Sequence, residues 1–122
     1  MKRTLALAVI LLAGIVGVAA QGGGGVGAIQ KVTPNVYWIP GAGGNSTVYV
    51  GTNGVVLVDT KLANNGQMIL DQIRSVTDKP ITHIINTHTH GDHNGSNIFF
   101  PPSVEVVAHQ NTQGLMRKME VF

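Results

Sequence analysis

Residues 88–93, His-Thr-His-Gly-Asp-His, are the segment whose residue types could do chemistry, with three of the chain's five histidines and one carboxylate. Neutral imidazole is the commonest biological metal ligand, and a carboxylate adds a hard, charged partner. On an extended backbone, side chains two residues apart point the same way, so His88 and His90 can bind one ion. Asp92 and His93 follow Gly91, which permits a turn, and they can face a second ion. These six residues, the histidine loop, therefore predict a metal site.

A solvated polar loop with fortuitous histidines is the alternative interpretation of the histidine loop. A strand predicted over residues 82–86 leads almost directly into the loop. A motif match is supported when the residues stand in a suitable structural context, and the end of a strand is such a context because it holds the loop in a fixed position. The histidine spacing and this strand together favour the metal site.

The first 20 residues have the layout of a secretory signal peptide. Lys2 and Arg3 give a positive start, residues 5–18 form an apolar and glycine run, and small residues precede Gln21. This run is shorter than the ~20 apolar residues that a membrane-spanning helix needs, so we favour cleavage over a stable membrane anchor. The mature protein is predicted to be periplasmic or secreted, with residues 21–28 as a flexible glycine-rich linker.

Charge and cysteine content exclude several classes of function. Without Lys2 and Arg3 the chain carries six basic and six acidic residues, so its high isoelectric point gives no indication of nucleic acid binding. The absence of cysteine excludes disulfides and thiolate metal ligands from this chain. Residues 29–122 suffice for one small core. The end at Phe122, without a closing turn, predicts that they are the N-terminal part of a truncated domain.

Hydrophobic periodicity predicts an antiparallel beginning followed by strands that alternate with helices. Strands are expected at residues 29–32, 36–39, 47–50, 55–58, 82–86 and 104–108. Gly-Thr-Asn-Gly at 51–54 predicts a hairpin between the third and fourth strands. An apolar stripe predicts a helix over residues 64–77, formed by Met68, Ile69, Ile73 and Val76. Helical turns over 95–100 and a helix over 109–118 complete the order ββββαβαβα.

The histidine loop and its flanks resemble a known family. Residues 87–95, Thr-His-Thr-His-Gly-Asp-His-Asn-Gly, resemble the HxHxDH signature of the metallo-β-lactamase-fold superfamily of metallohydrolases. Residues 45–50 and 55–60 resemble that family's first hairpin and its strand-ending Asp, here Asp59, and residues 104–109 resemble the strand after the motif. The resemblance covers residues 29–118. It implies an α/β (α+β) fold, an αββα sandwich of which this chain holds the N-terminal half.

The same resemblance implies a zinc-dependent reaction. His88 and His90 would bind a first zinc ion and Asp92 with His93 a second, and the family's C-terminal half would supply the remaining ligands. A metal-bound hydroxide would attack an ester, lactone, thioester or β-lactam-type bond of a small-molecule substrate. Asp92, between the histidine pairs, is the candidate catalytic residue that orients the hydroxide and transfers its proton.

Ligand counting leaves alternatives to a working hydrolase. A catalytic zinc generally needs three protein ligands and a water, whereas the resemblance assigns two residues of this chain to each ion. The chain alone is therefore expected to be inactive. An exported, non-catalytic zinc-binding protein and a truncated product without activity remain the alternatives.

Polar residues around the histidine loop are expected to support it. Asp59 could orient a ligand histidine or could cap a turn, and these two interpretations stay open. Hydrogen bonds within the loop are expected from Asn86, Thr87 and Asn94.

The remaining candidates have structural interpretations. His83, in the strand before the histidine loop, is interpreted as a satisfied core or edge histidine. His109 is interpreted as a residue at the N-terminus of a helix. Tyr37 and Trp38 are interpreted as core or rim aromatic residues.

Overall fold

The computed structural model describes residues 24–119. The predicted signal peptide, residues 1–20, and the first part of the predicted linker, residues 21–23, lie outside the described residues. Across the described part of the chain, no helix combines the length and the apolar character that crossing a membrane requires.

One six-stranded sheet organises the described residues, and its strands lie side by side in sequence order. The strands are β1 (Gln30–Lys31), β2 (Val36–Ile39), β3 (Ser46–Val50), β4 (Val55–Val58), β5 (Ile81–Asn86) and β6 (Glu105–Ala108). Strands β1 to β4 pair antiparallel, and β4, β5 and β6 pair parallel. The predicted hairpin is confirmed, because Val50 pairs with Val55 across the 51–54 turn.

Helices fill the connections between the parallel strands. Helix α1 (Gly66–Arg74) connects β4 to β5, helix α2 (Gly91–Asn94) and a 3-10 turn (Asn97–Phe99) connect β5 to β6, and helix α3 (Gln110–Lys118) follows β6. The predicted order of strands and helices is confirmed, and so is the α/β (α+β) fold class.

Helix α1 is shorter than the helix predicted over residues 64–77. Lys61 and Asn64 have positive φ angles of 65° and 66°, a conformation that cannot continue into a right-handed helix. The helix therefore begins only at Gly66. It ends at Arg74. The N–H of Ser75 donates to the carbonyl of Asp71 at 3.1 Å, and the N–H groups of Val76 and Thr77 donate to that of Ile73 at 3.0 and 3.1 Å.

The core lies between α1 and one face of the sheet. Ile69 and Ile73 of α1 pack with apolar side chains of the strands and of the segment before β6, which are Ile39, Val48, Val55, Leu57, Ile84, Phe100 and Val104. Met68, predicted as part of the apolar stripe, is 43% exposed because it lies on the solvent side of the helix. Tyr49, Ile85 and Val107 project from the other face of the sheet and are exposed.

The described part of the glycine-rich linker is attached to the sheet. Val26 forms a β-bridge with Gly41. The N–H of Gly27 donates to the carbonyl of Pro40 at 2.8 Å, and the N–H of Ala42 donates to that of Gly24 at 3.0 Å. From residue 24 onward the predicted linker is therefore held by backbone hydrogen bonds, in contrast to the flexible segment expected over 21–28.

Gly66→Ala should destabilise the protein, although glycine-to-alanine changes in helices usually stabilise it. A Cβ atom at position 66 would overlap the Cβ and ring atoms of Phe99, and overpacking costs about 1–3 kcal/mol. At Gly114, in α3, a Cβ atom would have nothing within 4 Å. Gly114→Ala should therefore raise the free energy of unfolding by about 0.5–1 kcal/mol. Urea unfolding of both variants measures the two changes. Equal shifts in the same direction would contradict the packing assigned to Gly66.

Candidate metal centre

The histidine loop lies at the carboxyl end of β5, between the ends of β4 and β6. In sheets of parallel strands this edge is where ligands bind, because the loops from neighbouring strands meet there. His90 has an extended backbone and precedes α2, which carries Asp92 and His93. The turn expected after Gly91 is thus one turn of helix.

The fold brings the four predicted metal ligands together. The ring centroids of His88 and His90 are 4.7 Å apart, and those of His88 and His93 are 4.1 Å apart. The Oδ2 atom of Asp92 lies 3.5 Å from Nε2 of His93. Within residues 24–119, however, no group of three or more His, Asp or Glu side chains is arranged to hold a metal ion. The ligand assignment therefore stays a prediction.

Asp59 holds the histidine loop from the end of β4. Its side chain is buried, with 6% exposure, and its carboxylate accepts hydrogen bonds from the N–H of Thr87 at 2.9 Å and from the Thr87 hydroxyl at 2.7 Å. Nδ1 of His93 lies 2.7 Å from the same carboxylate. Because an ionised carboxylate only accepts hydrogen bonds, Nδ1 of His93 carries a proton, and in the neutral ring Nε2 therefore presents its lone pair. Of the two interpretations left open for Asp59, the structure supports histidine orientation.

Thr87 extends this control to His88. The Thr87 hydroxyl has one hydrogen, which it donates to Asp59, so it can only accept from Nδ1 of His88, 2.9 Å away. The proton of His88 then also lies on Nδ1, and its Nε2 is free. One buried carboxylate thus sets the tautomers of two predicted metal ligands. Such outer partners orient ligand histidines in metal sites generally.

A buried amide network supports the loop from below. The Thr60 hydroxyl donates to Oδ1 of Asn97 at 2.7 Å, and Nδ2 of Asn97 donates to Oδ1 of Asn86 at 2.7 Å. Asn86 in turn donates to the carbonyl of His93 at 3.1 Å, and that carbonyl also accepts from the Thr60 N–H at 2.7 Å. Asn94 donates to the carbonyl of Thr89 at 3.1 Å. The expected support from Asn86, Thr87 and Asn94 is confirmed.

The loop between β2 and β3, residues 40–44, forms one wall of the site and is called here the glycine loop. A Cβ atom at Gly43 would lie 2.7 Å from Cβ of Asp92, and one at Gly44 would lie 2.9 Å from the Asp92 carbonyl. The backbone of the glycine loop can approach α2 this closely because it carries no side chains there. Gly43 also has a positive φ angle of 95°.

The remaining candidates lie outside this site. His83 contacts the hydroxyl of Thr82 at 2.9 Å and the carboxylate of Glu105 at 3.5 Å. His109 is the N-cap of α3, and its Nδ1 accepts from the N–H of Asn111 at 3.2 Å. The interpretation of His109 is confirmed. His83 has polar partners as expected, but it lies on the interior strand β5 with a side chain that is 45% exposed, so it is neither a core nor an edge histidine. Tyr37, on β2, packs at the margin of the core.

Sequence reasoning missed Thr60, Lys61 and Asn97, all of which are buried. Thr60 directly follows Asp59 at a strand end, and polar residues at the carboxyl ends of two neighbouring strands were an available signal. Asn97 and Lys61 carried no such signal, because each depends on partners that are distant in sequence. Burial lowers the pKa of Lys61 to about 8, so its side chain remains mostly protonated at pH 7.

The comparison with protein families decides the assignment. The family model described as the metallo-beta-lactamase superfamily matches residues 39–109, which is more than half of the chain. The chain belongs to the metallo-β-lactamase superfamily. The resemblance inferred from HxHxDH is therefore confirmed, and the superfamily is one of metal-dependent hydrolases.

Solved structures of superfamily members share the fold. A metallo-β-lactamase of Cronobacter sakazakii with a HARLDQ motif matches with a TM-score of 0.71 and 19% identity, over 80% of this chain and 39% of its own. FIM-1 of Pseudomonas aeruginosa, in its mono-zinc form, matches with a TM-score of 0.67 and 17% identity, over 78% and 46%.

A third match is the inverting sec-alkylsulfatase Pisa1 of a Pseudomonas species, with a TM-score of 0.60 and 26% identity, over 67% and 14%. The chain spans less than half the length of each of these three proteins.

Proposed function

We propose that this chain carries the histidine-loop half of a zinc-dependent hydrolase acting on an ester, lactone, thioester or β-lactam-type bond. The observation that carries the proposal is the hydrogen-bond system of Asp59. It directs the Nδ1 protons of His88 and His93 inward, which leaves the Nε2 atom of each ring without a proton, and Nε2 of His93 lies 3.5 Å from Asp92.

The donor set is suited to zinc. Imidazole nitrogen and carboxylate oxygen are both zinc ligands, and fixed tautomers on His88 and His93 present the nitrogen atoms that a metal would need. In the proposed assignment, His88 and His90 hold one ion while Asp92 and His93 hold a second. Zinc supplies hydroxide at neutral pH because it lowers the pKa of its bound water.

Asp92 is the proposed catalytic residue. Its side chain is partly exposed, unlike that of Asp59, and lies 3.5 Å from Nε2 of His93. A carboxylate in this position can bind the attacking water, accept its proton and return the proton to the leaving group. Access from solvent would let the small-molecule substrate approach the same oxygen atoms.

The activity is proposed for a protein that also supplies the missing ligands. Since no three ligands are arranged to hold a metal ion in residues 24–119, the further ligands must come from outside this described part. We propose that the 122-residue chain binds zinc weakly and has no turnover by itself. A non-catalytic zinc-binding protein is the second candidate, and the same observation favours it.

Asp92→Asn in the complete protein should lower kcat by about 100-fold or more, because general acid–base catalysis contributes about 10²–10⁴-fold. Asp71→Asn is the matched control, since Asp71 lies exposed on α1 and its carboxylate accepts a hydrogen bond from the side chain of Gln67 at 2.8 Å, away from the site. Hydrolysis of chromogenic ester, lactone, thioester and β-lactam substrates with and without a chelator measures the effect. Turnover that survives both chelation and Asp92→Asn would refute a zinc-dependent reaction that uses Asp92. Tight zinc binding without any turnover would support the non-catalytic protein.

Export to the periplasm or beyond the cell is part of the proposal. It rests on the signal-peptide layout of residues 1–20. The N-terminal sequence of the protein recovered from cell fractions tests this, with Gln21 expected as the first residue. Recovery of the intact N-terminus in the cytoplasm would contradict it.

A further inference from the structure

Lys61 is a buried cation that the proposed reaction does not use. Its side chain is fully buried, and none of the ion pairs among the described residues involves it. Lysine is almost never fully buried without a partner, because removing an ammonium group from water is costly. A residue retained in this environment requires a specific set of acceptors.

Three backbone carbonyls supply those acceptors. Nζ of Lys61 donates to the carbonyl oxygen of Ile39 at 2.7 Å, of Gly41 at 2.9 Å and of Gly44 at 2.6 Å. An ammonium group has three donors, so all of them are used. Two of the acceptors belong to the glycine loop and the third ends β2. The side chain therefore fixes the glycine loop at both of its ends.

The backbone of Lys61 holds the opposite wall of the site. Its carbonyl accepts a hydrogen bond from the N–H of Gly95 at 2.9 Å, just after α2. Lys61 also has a positive φ angle of 65°, which is unfavourable for a residue with a Cβ atom. The unusual backbone lets one residue bond the glycine loop with its side chain and the end of α2 with its main chain.

These two walls meet at the predicted ligands. Gly43 approaches Asp92, and Gly44 approaches both Asp92 and His93, at distances that leave no space for a side chain. A change in the position of the glycine loop would therefore change the space that Asp92 and His93 can occupy. We propose that Lys61 is a positioning residue that clamps the glycine loop against α2 and so fixes the orientation of Asp92 and His93 as metal ligands. The ligand part of this inference rests on the proposed function.

Lys61→Met tests the clamp, because methionine has a similar length and no donors. In the 122-residue chain, we expect faster hydrogen exchange at the amide groups of Thr60, Leu62 and Gly95, which bond across the site. We also expect about tenfold weaker Co²⁺ binding, the lower end of the effect of losing an outer partner of a metal ligand, with a changed Co²⁺ absorption spectrum. Lys61→Arg, which keeps the charge, should fold and show smaller changes of the same kind.

Two controls separate positioning from general stabilisation. Lys79→Met removes an exposed lysine that donates to one carbonyl, of Gly51 at 2.8 Å, away from the site, and should change neither readout. Ile69→Val lowers stability through the core without contacting the site. The inference is overturned if Lys61→Met shifts only the melting temperature, as Ile69→Val does, and leaves exchange at Gly95 and Co²⁺ binding unchanged.

The outcomes also separate this inference from the proposed function. If the unsubstituted chain binds no Co²⁺, the weak metal binding proposed for this chain fails, and hydrogen exchange alone then decides whether Lys61 clamps the loops. If Lys61→Met does not fold, Lys61→Arg takes its place. Unchanged exchange at Gly95 together with an unchanged Co²⁺ spectrum in Lys61→Arg would then overturn the inference.

Discussion

Asp59→Asn should weaken zinc binding to the histidine loop by about 10- to 100-fold, the range found when outer partners of metal ligands are removed. The substitution keeps the shape of the side chain, and the amide oxygen can still accept from the N–H of Thr87. The second oxygen, however, becomes an NH₂ group that only donates. This group would face the Thr87 hydroxyl and Nδ1 of His93, which donate to Asp59 in the unsubstituted protein.

Both histidine tautomers should invert in this variant. Nδ1 of His93 must become an acceptor, which moves the proton to Nε2. The Thr87 hydroxyl, which would accept from the introduced amide group, is free to donate to Nδ1 of His88, and the proton of His88 moves in the same way. His88 and His93 would then each present an N–H group, in place of a lone pair, to the metal.

Calorimetry measures the zinc affinity, and nitrogen chemical shifts of the imidazole rings report the tautomers. Thr87→Val should change only the tautomer of His88, and it should weaken zinc binding less than Asp59→Asn does. Asp78→Asn, at an exposed carboxylate after α1, should have no effect. Unchanged tautomers in Asp59→Asn would show that something other than this carboxylate sets them.

Gly95→Ala should be the most destabilising single methyl addition in the histidine region, at about 3 kcal/mol, the upper end of typical overpacking costs. A Cβ atom there would lie 2.5 Å from the backbone N of Ala63, 2.5 Å from the carbonyl oxygen of Gly91 and 2.9 Å from the carbonyl carbon of Leu62. All three are main-chain atoms, so no side-chain rotation can relieve the contacts. Relief requires moving α2 away from the segment that follows β4.

Gly91→Ala is the matched control, four residues earlier in the same region. A Cβ atom at position 91 has nothing within 4 Å, and the residue is the first of α2. The free energy of unfolding of this variant should lie within about 0.5 kcal/mol of the value for the unsubstituted protein, as is usual for surface substitutions. Urea unfolding of the two variants measures the contrast. Similar stabilities for Gly91→Ala and Gly95→Ala would mean that α2 does not pack against residues 62–63 as described.

Local sequence patterns were enough to predict most of the fold. The 51–54 turn between two β-branched runs predicts the β3–β4 hairpin, and the helical stripe containing Ile69 and Ile73 predicts α1. These features depend on residues close together in the chain, which is why they can be read without the structure. The start of α1 was missed because Asn64 has a positive φ angle, which the apolar stripe does not indicate.

The predicted metal ligands could be identified from the sequence, whereas the buried residues that hold them in place could not. The spacing of the histidine loop indicates a metal site because both the residue types and their separation are local. The bond between Thr60 and Asn97 spans 37 positions, and Lys61 would be assigned to the surface on residue type alone. Its burial follows from three carbonyls that only the folded glycine loop brings together.

Asp59 and the amide network have a thermodynamic consequence for the folded state. They join the histidine loop to the ends of β4 and β5, so the arrangement of its side chains exists only when these two strands are paired. Any cation that binds this arrangement selects the folded chain, and the fraction of folded molecules then depends on the free cation concentration. At a free cation concentration of 100 times the dissociation constant, binding would raise the free energy of unfolding by about 2.7 kcal/mol. Binding of such a cation and folding of the chain would then be a single coupled equilibrium.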